Sequence, residues 1–106
     1  MLLGDAALSL AVAEHLYDAD PVAPVGVLTS RRADLVSDAS LARWASALDL
    51  GGLLRLGRGA DQTGGRTRAS ILATTLEAVL GVMYLEGGLE TVRAAVARLA
   101  GASPGT

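Results

Sequence analysis

No cysteine occurs in the 106 residues of this chain, so disulfides and thiolate metal ligation are excluded, and the composition suits a reducing, cytoplasmic setting. Lysine is missing too: all nine basic residues are arginine. With the high Ala and Gly content this reads as coding bias more than chemistry, and it leaves no lysine for a nucleotide phosphate loop. The single histidine, His15, has no second His or Cys with which to share a metal and is read as a surface or boundary residue. A net charge of −2 gives no whole-molecule basic field, so a nucleic-acid partner would need a local patch. No run alternates apolar and polar residues at period two, and no hairpin dipeptide separates apolar runs. The chain is therefore expected to be all-α.

What is present is a large apolar fraction, 51% of residues, enough for one domain to bury a core. The domain is expected over residues 1–100, with 101–106 a flexible tail of small residues. The apolar N-terminus lacks a basic flank and is interrupted by Asp5, so it reads as an amphipathic helix and not as a secretion signal. That helix is expected to end near Asp18, with Leu3, Ala7, Leu10, Ala11 and Leu16 inward and Pro21 to Pro24 stopping it. Taken alone, Asp5 is explained by the positive end of the helix dipole.

A short helix is expected over Leu28 to Val36, carrying Arg31 and Arg32. Asp38 or Ser40 then offers an N-cap for another, with Leu41, Trp44, Ala45 and Leu48 inward and Gly51 and Gly52 closing it. Trp44, the only tryptophan, suits core packing at this spacing, with base or cofactor stacking as the other reading. Periodicity is lost in the Gly-rich stretch GGLLRLGRGADQTGGRTR, which holds Arg55, Arg58, Arg66 and Arg68 against Asp61. Four guanidiniums before a helix N-terminus can bind phosphates; a solvated basic loop is the alternative.

The longest apolar-periodic segment runs from Ala69 to Gly88, ASILATTLEAVLGVMYLEGG. Leu72, Leu76, Val79, Leu80 and Met83 form its core stripe, and Thr74, Glu77 and Gly81 a neighbouring one. Gly81 narrows that second stripe so that another backbone can approach. Glu77 is then either a boundary residue reaching solvent or a half-buried carboxylate in need of a cation, a metal or a donor. Gly87 and Gly88 end the helix, and a last one follows with Leu89, Val92, Val96 and Leu99 inward.

In order, LLGDAALSLAVAEHLY, LTSRRADLVSDASLARWASALDLGGLLRLGRG and TGGRTRASILATTLEAVLGVMYLEGGLE resemble the endonuclease domain of the ribonuclease III family. The match is collinear over most of the chain and runs through irregular segments such as LGD, LGRG, GGR and YLEGG. The resemblance implies an all-helical fold, a two-fold homodimer and Mg²⁺-dependent cleavage of double-stranded RNA. Relative to the family pattern the chain is degenerate and short at its N-terminus. Members usually begin two helices earlier, and this sequence carries no double-stranded-RNA-binding domain after its last helix.

The family chemistry needs clustered carboxylates, because Mg²⁺ takes hard oxygen ligands while keeping positions for phosphate and water. The resemblance assigns Asp5 and Glu77 as the catalytic, metal-binding carboxylates. Met1, Thr74 and Val25 occupy other positions that are acidic in the family, and Arg31 stands where an apolar residue is usual. Three readings follow. One is a double-stranded-RNA endonuclease with a weak Mg²⁺ site at Asp5 and Glu77 and phosphate contacts from Arg55, Arg58, Arg66 and Arg68. Another is a member that binds structured RNA without cutting it. The third is a helical dimer reused as a protein-interaction scaffold or for another chemistry. None of them calls for a membrane.

Overall fold

The computed structural model describes residues 2–50 and 65–102, with side chains described from Arg68 to Gly101 in the second stretch. Four helices make up the described residues, with no strand: α1 (Leu2–Ala19), α2 (Val25–Leu35), α3 (Asp38–Ala47) and α4 (Gly65–Ala102). The all-helical expectation holds. Helix α4 is the axis of the molecule, since α1 and α3 both pack chiefly on it, while α2 lies along α1.

The core joins Leu8, Ala11 and Val12 of α1, Leu41, Trp44 and Ala45 of α3, and Leu72, Leu76, Leu80, Val92 and Val96 of α4. Trp44 is buried among them, as its spacing suggested. By length and composition the segment Arg68–Gly101 could cross a bilayer. It is bent at Gly88, however, and carries these core residues along its length, so it reads as the central helix of a globular fold.

Gly87 and Gly88 do not end the helix as expected. Gly88 alone takes φ +73°, and helical turns resume at once on either side, so α4 is one kinked element with limbs 65–87 and 89–102. The Thr91 hydroxyl donates to the Gly87 carbonyl at 3.0 Å across the bend. Beyond it Val92, Val96 and Leu99 are buried and Leu89 partly so, as their spacing predicts. The helix also continues through Gly101 and Ala102, into the expected tail.

Four local expectations need correction. In α1 the buried residues include Leu8 and Val12, whereas Leu3 and Leu10 are about half exposed (42% and 50%). Apolar residues surround most of that helix, so periodicity fixed its existence but not which side faces α4. Helix α2 begins a turn early, at Val25, because Pro24 in extended geometry lends its carbonyl to Val27 and Leu28. The N-cap of α3 is Ser37, neither Asp38 nor Ser40: its hydroxyl oxygen accepts from the Ser40 N–H at 3.2 Å. At the other end Leu48 is 45% exposed, and α3 closes at Asp49, φ +58°, with Leu50 N–H donating to Ala45 and Asp49 N–H to Ser46. Gly51 and Gly52 lie outside the described residues.

Candidate functional site

The site begins where α1 crosses α4. Gly4 is buried against the backbone of α4. A Cβ there would overlap the Glu77 carbonyl oxygen and lie 2.8 Å from its carbonyl carbon and 3.1 Å from Gly81 N. Gly81 is the glycine expected to admit a second backbone, and it does so. The contact leaves Asp5, the next residue along α1, beside Glu77.

Asp5 sits in the first turn of α1, where the helix dipole favours negative charge. Glu77 is half-buried, and its pKa is raised above the ordinary 4.5. Burial is the largest cause, followed by hydrogen bonding to Asp5 and the charge of Asp5, with a further contribution from Asp38. Asp5 is thus the side chain that acts most directly on the Glu77 carboxyl. Of the two readings of Glu77, the structure therefore favours a carboxyl with a specific partner.

Thr74 stands one turn before Glu77 and is exposed, offering a neutral hydroxyl. Val25 is not in the neighbourhood. Leu16 of α1 and Leu28 of α2 line one cleft with Ala13 and Arg32, so α2 runs back along α1 and Val25 begins it at the end remote from Asp5. Met1, Arg55 and Arg58 lie outside the described residues, as does the side chain of Arg66; Arg68 is half-buried in the first turn of α4. Arg31 pairs loosely with Asp20 at 3.4 Å on the surface. His15 shares a cleft with Glu14, Asp18 and Arg93, in keeping with a boundary position.

The sequence reading missed two contributors. In the sequence Asp38 reads only as a helix cap, yet its charge reaches Glu77, since α3 packs on α4. Gly4 carried a signal that was there to read, a glycine immediately before the site aspartate.

Among the described residues no group of three His, Cys, Asp or Glu side chains gathers as a metal site. The Asp5 and Glu77 donors still suit Mg²⁺ in kind, being hard oxygens that repel one another unless a proton or a cation lies between them. The arrangement brings two carboxyl groups together at the crossing of α1 and α4.

Comparison with known proteins bears on the family and the fold. Residues 1–101 match a family model described as ribonuclease-III-like. The chain is 53% identical over 91 residues to Ribonuclease 3 of Desulforamulus reducens, covering 86% of this chain and 37% of that protein. With Ribonuclease 3 of Streptomyces coelicolor the identity is 48% over 97 residues, 92% of this chain and 35% of the relative. The chain thus spans well under half the length of these curated relatives. Among solved structures it resembles the nuclease domain of ribonuclease III from Campylobacter jejuni, described for structural flexibility in a region involved in dimer formation. The TM-score is 0.81 and the identity 37%, over 92% of this chain and 68% of that one.

Proposed function

The chain belongs to the ribonuclease III family, and from that premise we propose that it binds double-stranded or structured RNA and cleaves it poorly, because its metal-binding carboxylates are reduced to one pair. The observation that carries the reading is the juxtaposition of Asp5 and Glu77 without a third acidic ligand among the described residues.

In this reading Asp5 and Glu77 are the two carboxylates that hold Mg²⁺. A divalent cation held there supplies Lewis-acid polarisation of a phosphodiester oxygen and a more acidic water. The chain's own residues limit how well that is done. The raised pKa of Glu77 works against the ionised form in which it would serve as a ligand. Thr74 adds a neutral hydroxyl where a carboxylate would add charge, so the pair neutralises the cation incompletely. Arg66 and Arg68, at the start of α4, and Arg55 and Arg58 before it are assigned to RNA phosphates.

A homodimer belongs to the same proposal. Leu2, 82% exposed, and Leu3 precede the Gly4 crossing on α1, while Val82 (53%) and Leu85 (62%) follow Gly81 on α4. Exposed apolar side chains thus flank this backbone contact on both helices, the kind of surface that a second copy would cover.

The incomplete carboxylate set also favours a second reading, a non-catalytic helical dimer serving as a protein-interaction scaffold. Fluorescence anisotropy of a labelled RNA duplex in EDTA separates the two. The RNA reading predicts weak binding that falls steeply with added salt and falls again in Arg66→Ala/Arg68→Ala. Absence of RNA binding at low salt in a folded dimer would favour the scaffold.

A further inference from the structure

We infer that Gly4 is a positioning residue for the site: by letting the backbone of α1 rest on the Glu77 carbonyl, it sets the separation of the Asp5 and Glu77 carboxyls. The inference rests on the metal-site reading only for its consequence in function; the geometric claim stands on the contact itself.

The contact has three parts. Gly4 lacks a Cβ where a Cβ would overlap the Glu77 carbonyl oxygen and approach the Glu77 carbonyl carbon to 2.8 Å. The same Cβ would lie 3.1 Å from the amide nitrogen of Gly81, itself a buried residue without a side chain. The residue touched is Glu77, and the residue following Gly4 is Asp5. The backbone contact and the carboxyl pair are therefore adjacent along both helices, and a shift at the contact changes the span that the Asp5 and Glu77 side chains must bridge.

The magnitude makes the position selective. The atoms that a Cβ would meet are backbone atoms of a helix, which cannot rotate aside. A methyl group at Gly4 would push the helices apart on the order of 1 Å to restore ordinary contact distances. A hydrogen bond between carboxyls spans about 2.5–3.0 Å, so after such a displacement the Asp5 and Glu77 side chains would have to leave their present geometry to meet. A Mg²⁺–oxygen bond, at about 2.0–2.1 Å, is shorter still.

The absence of native cysteine makes a direct test available. Asp5→Cys/Glu77→Cys is prepared with Gly4 retained and with Gly4→Ala. Each is treated with a short bis-alkylating bimane, which fluoresces when it bridges two thiols, and the intramolecular product is identified by mass. Gly4→Ala should slow bridging by about tenfold or more, as an ångström-scale misplacement does to other proximity-driven reactions. Val96→Ala, a core truncation away from the crossing, serves as the control and should bridge at the rate of the Gly4 chain.

Mn²⁺ binding, followed by electron paramagnetic resonance on chains with Asp5 and Glu77 intact, should weaken in Gly4→Ala and persist in Val96→Ala. Bridging as fast in Gly4→Ala as in the Gly4 chain overturns the inference, and so does equal slowing by Val96→Ala. Loss of the helical circular-dichroism signal in Gly4→Ala, even at low temperature with a stabilising osmolyte, also overturns it, because the glycine then holds the whole fold and not the pair. If the unsubstituted chain binds no Mn²⁺, the metal-site reading fails, and the bridging rates still decide the role of Gly4.

Discussion

Arg93 grips Glu14 with two prongs, Nε to Oε1 at 2.9 Å and Nη2 to Oε2 at 2.5 Å, tying α1 to the limb of α4 beyond the Gly88 kink. Its remaining nitrogen, Nη1, donates to Glu90 one turn back on the same limb. The bonds to Glu14 and then Glu90 hold the guanidinium in its charged form. Arg93→Lys should lower Tm at low salt, since an ammonium cannot reproduce the fork, and the difference should shrink as salt is raised because the pair is partly exposed. An unchanged low-salt Tm would show that the pair follows the packing of the two helices without supporting it.

At the end of α3, Asp49 occupies the left-handed position that glycine fills most easily, φ +58°. Both capping hydrogen bonds that close the helix are in place around it. Asp49→Gly should therefore stabilise the fold by about 0.5–1 kcal/mol. Thermal or urea denaturation reads the change, and a loss of stability would mean that the aspartate side chain contributes more there than its backbone costs.

The start of α3 carries an opposed pair of serines. Ser37 caps the helix, and Ser37→Ala should cost about 1 kcal/mol. Ser40 is 1% exposed, and its hydroxyl has no hydrogen-bond partner among the described residues. Ser40→Ala removes a buried, unsatisfied group and should leave stability unchanged or raise it by about 1 kcal/mol. Urea titration of the two variants should give shifts of opposite sign or a loss confined to Ser37→Ala; a larger loss at Ser40 would reveal a partner for its hydroxyl.

Stability should also depend on pH through Glu77. Its folded pKa lies above the ordinary 4.5, so the folded chain holds that proton more tightly than the unfolded chain does. The stabilisation is complete below the unfolded value and is lost as pH rises through the folded one. Glu77→Gln should flatten this decline and leave the protein more stable than the unsubstituted chain at neutral pH. Parallel denaturation curves across the acid-to-neutral range test it, and an undiminished decline in Glu77→Gln would assign the dependence to another group.

How far these features were legible from sequence depends on whether one residue or a relation between elements decides them. The stripe of Leu72, Leu76 and Leu80 and the burial of Trp44 follow from spacing within one helix, and both are found. The inward side of α1 does not, because an apolar run on several faces leaves the choice to whichever helix it meets. Gly88 shows a second limit. A glycine can end a helix or bend it, and here resumed packing of Val92 and Val96 on the core decides for a bend. At the site, Asp5 and Glu77 were legible through resemblance and Gly81 through its missing side chain. The charge of Asp38 on Glu77 arises only when α3 packs on α4.

The homodimer is testable at its proposed seam. Leu85→Asp places a charge in the exposed apolar patch and should convert a dimer to a folded monomer in sedimentation at micromolar concentration. A dimer that persists in this variant would place the interface elsewhere, and an unsubstituted chain that sediments as a folded monomer would remove it.

Titration of Mg²⁺ against cleavage of a labelled RNA duplex tests most directly whether Asp5 and Glu77 form a divalent-cation site depleted of carboxylates, with Thr74 at one of the positions that lost its acid. The unsubstituted chain should cleave slowly or not at all at millimolar Mg²⁺, Thr74→Asp should raise both cleavage and Mg²⁺ affinity, and Glu77→Gln should abolish whatever cleavage exists. Efficient Mg²⁺-dependent cleavage by the unsubstituted chain that survives Glu77→Gln would contradict the account.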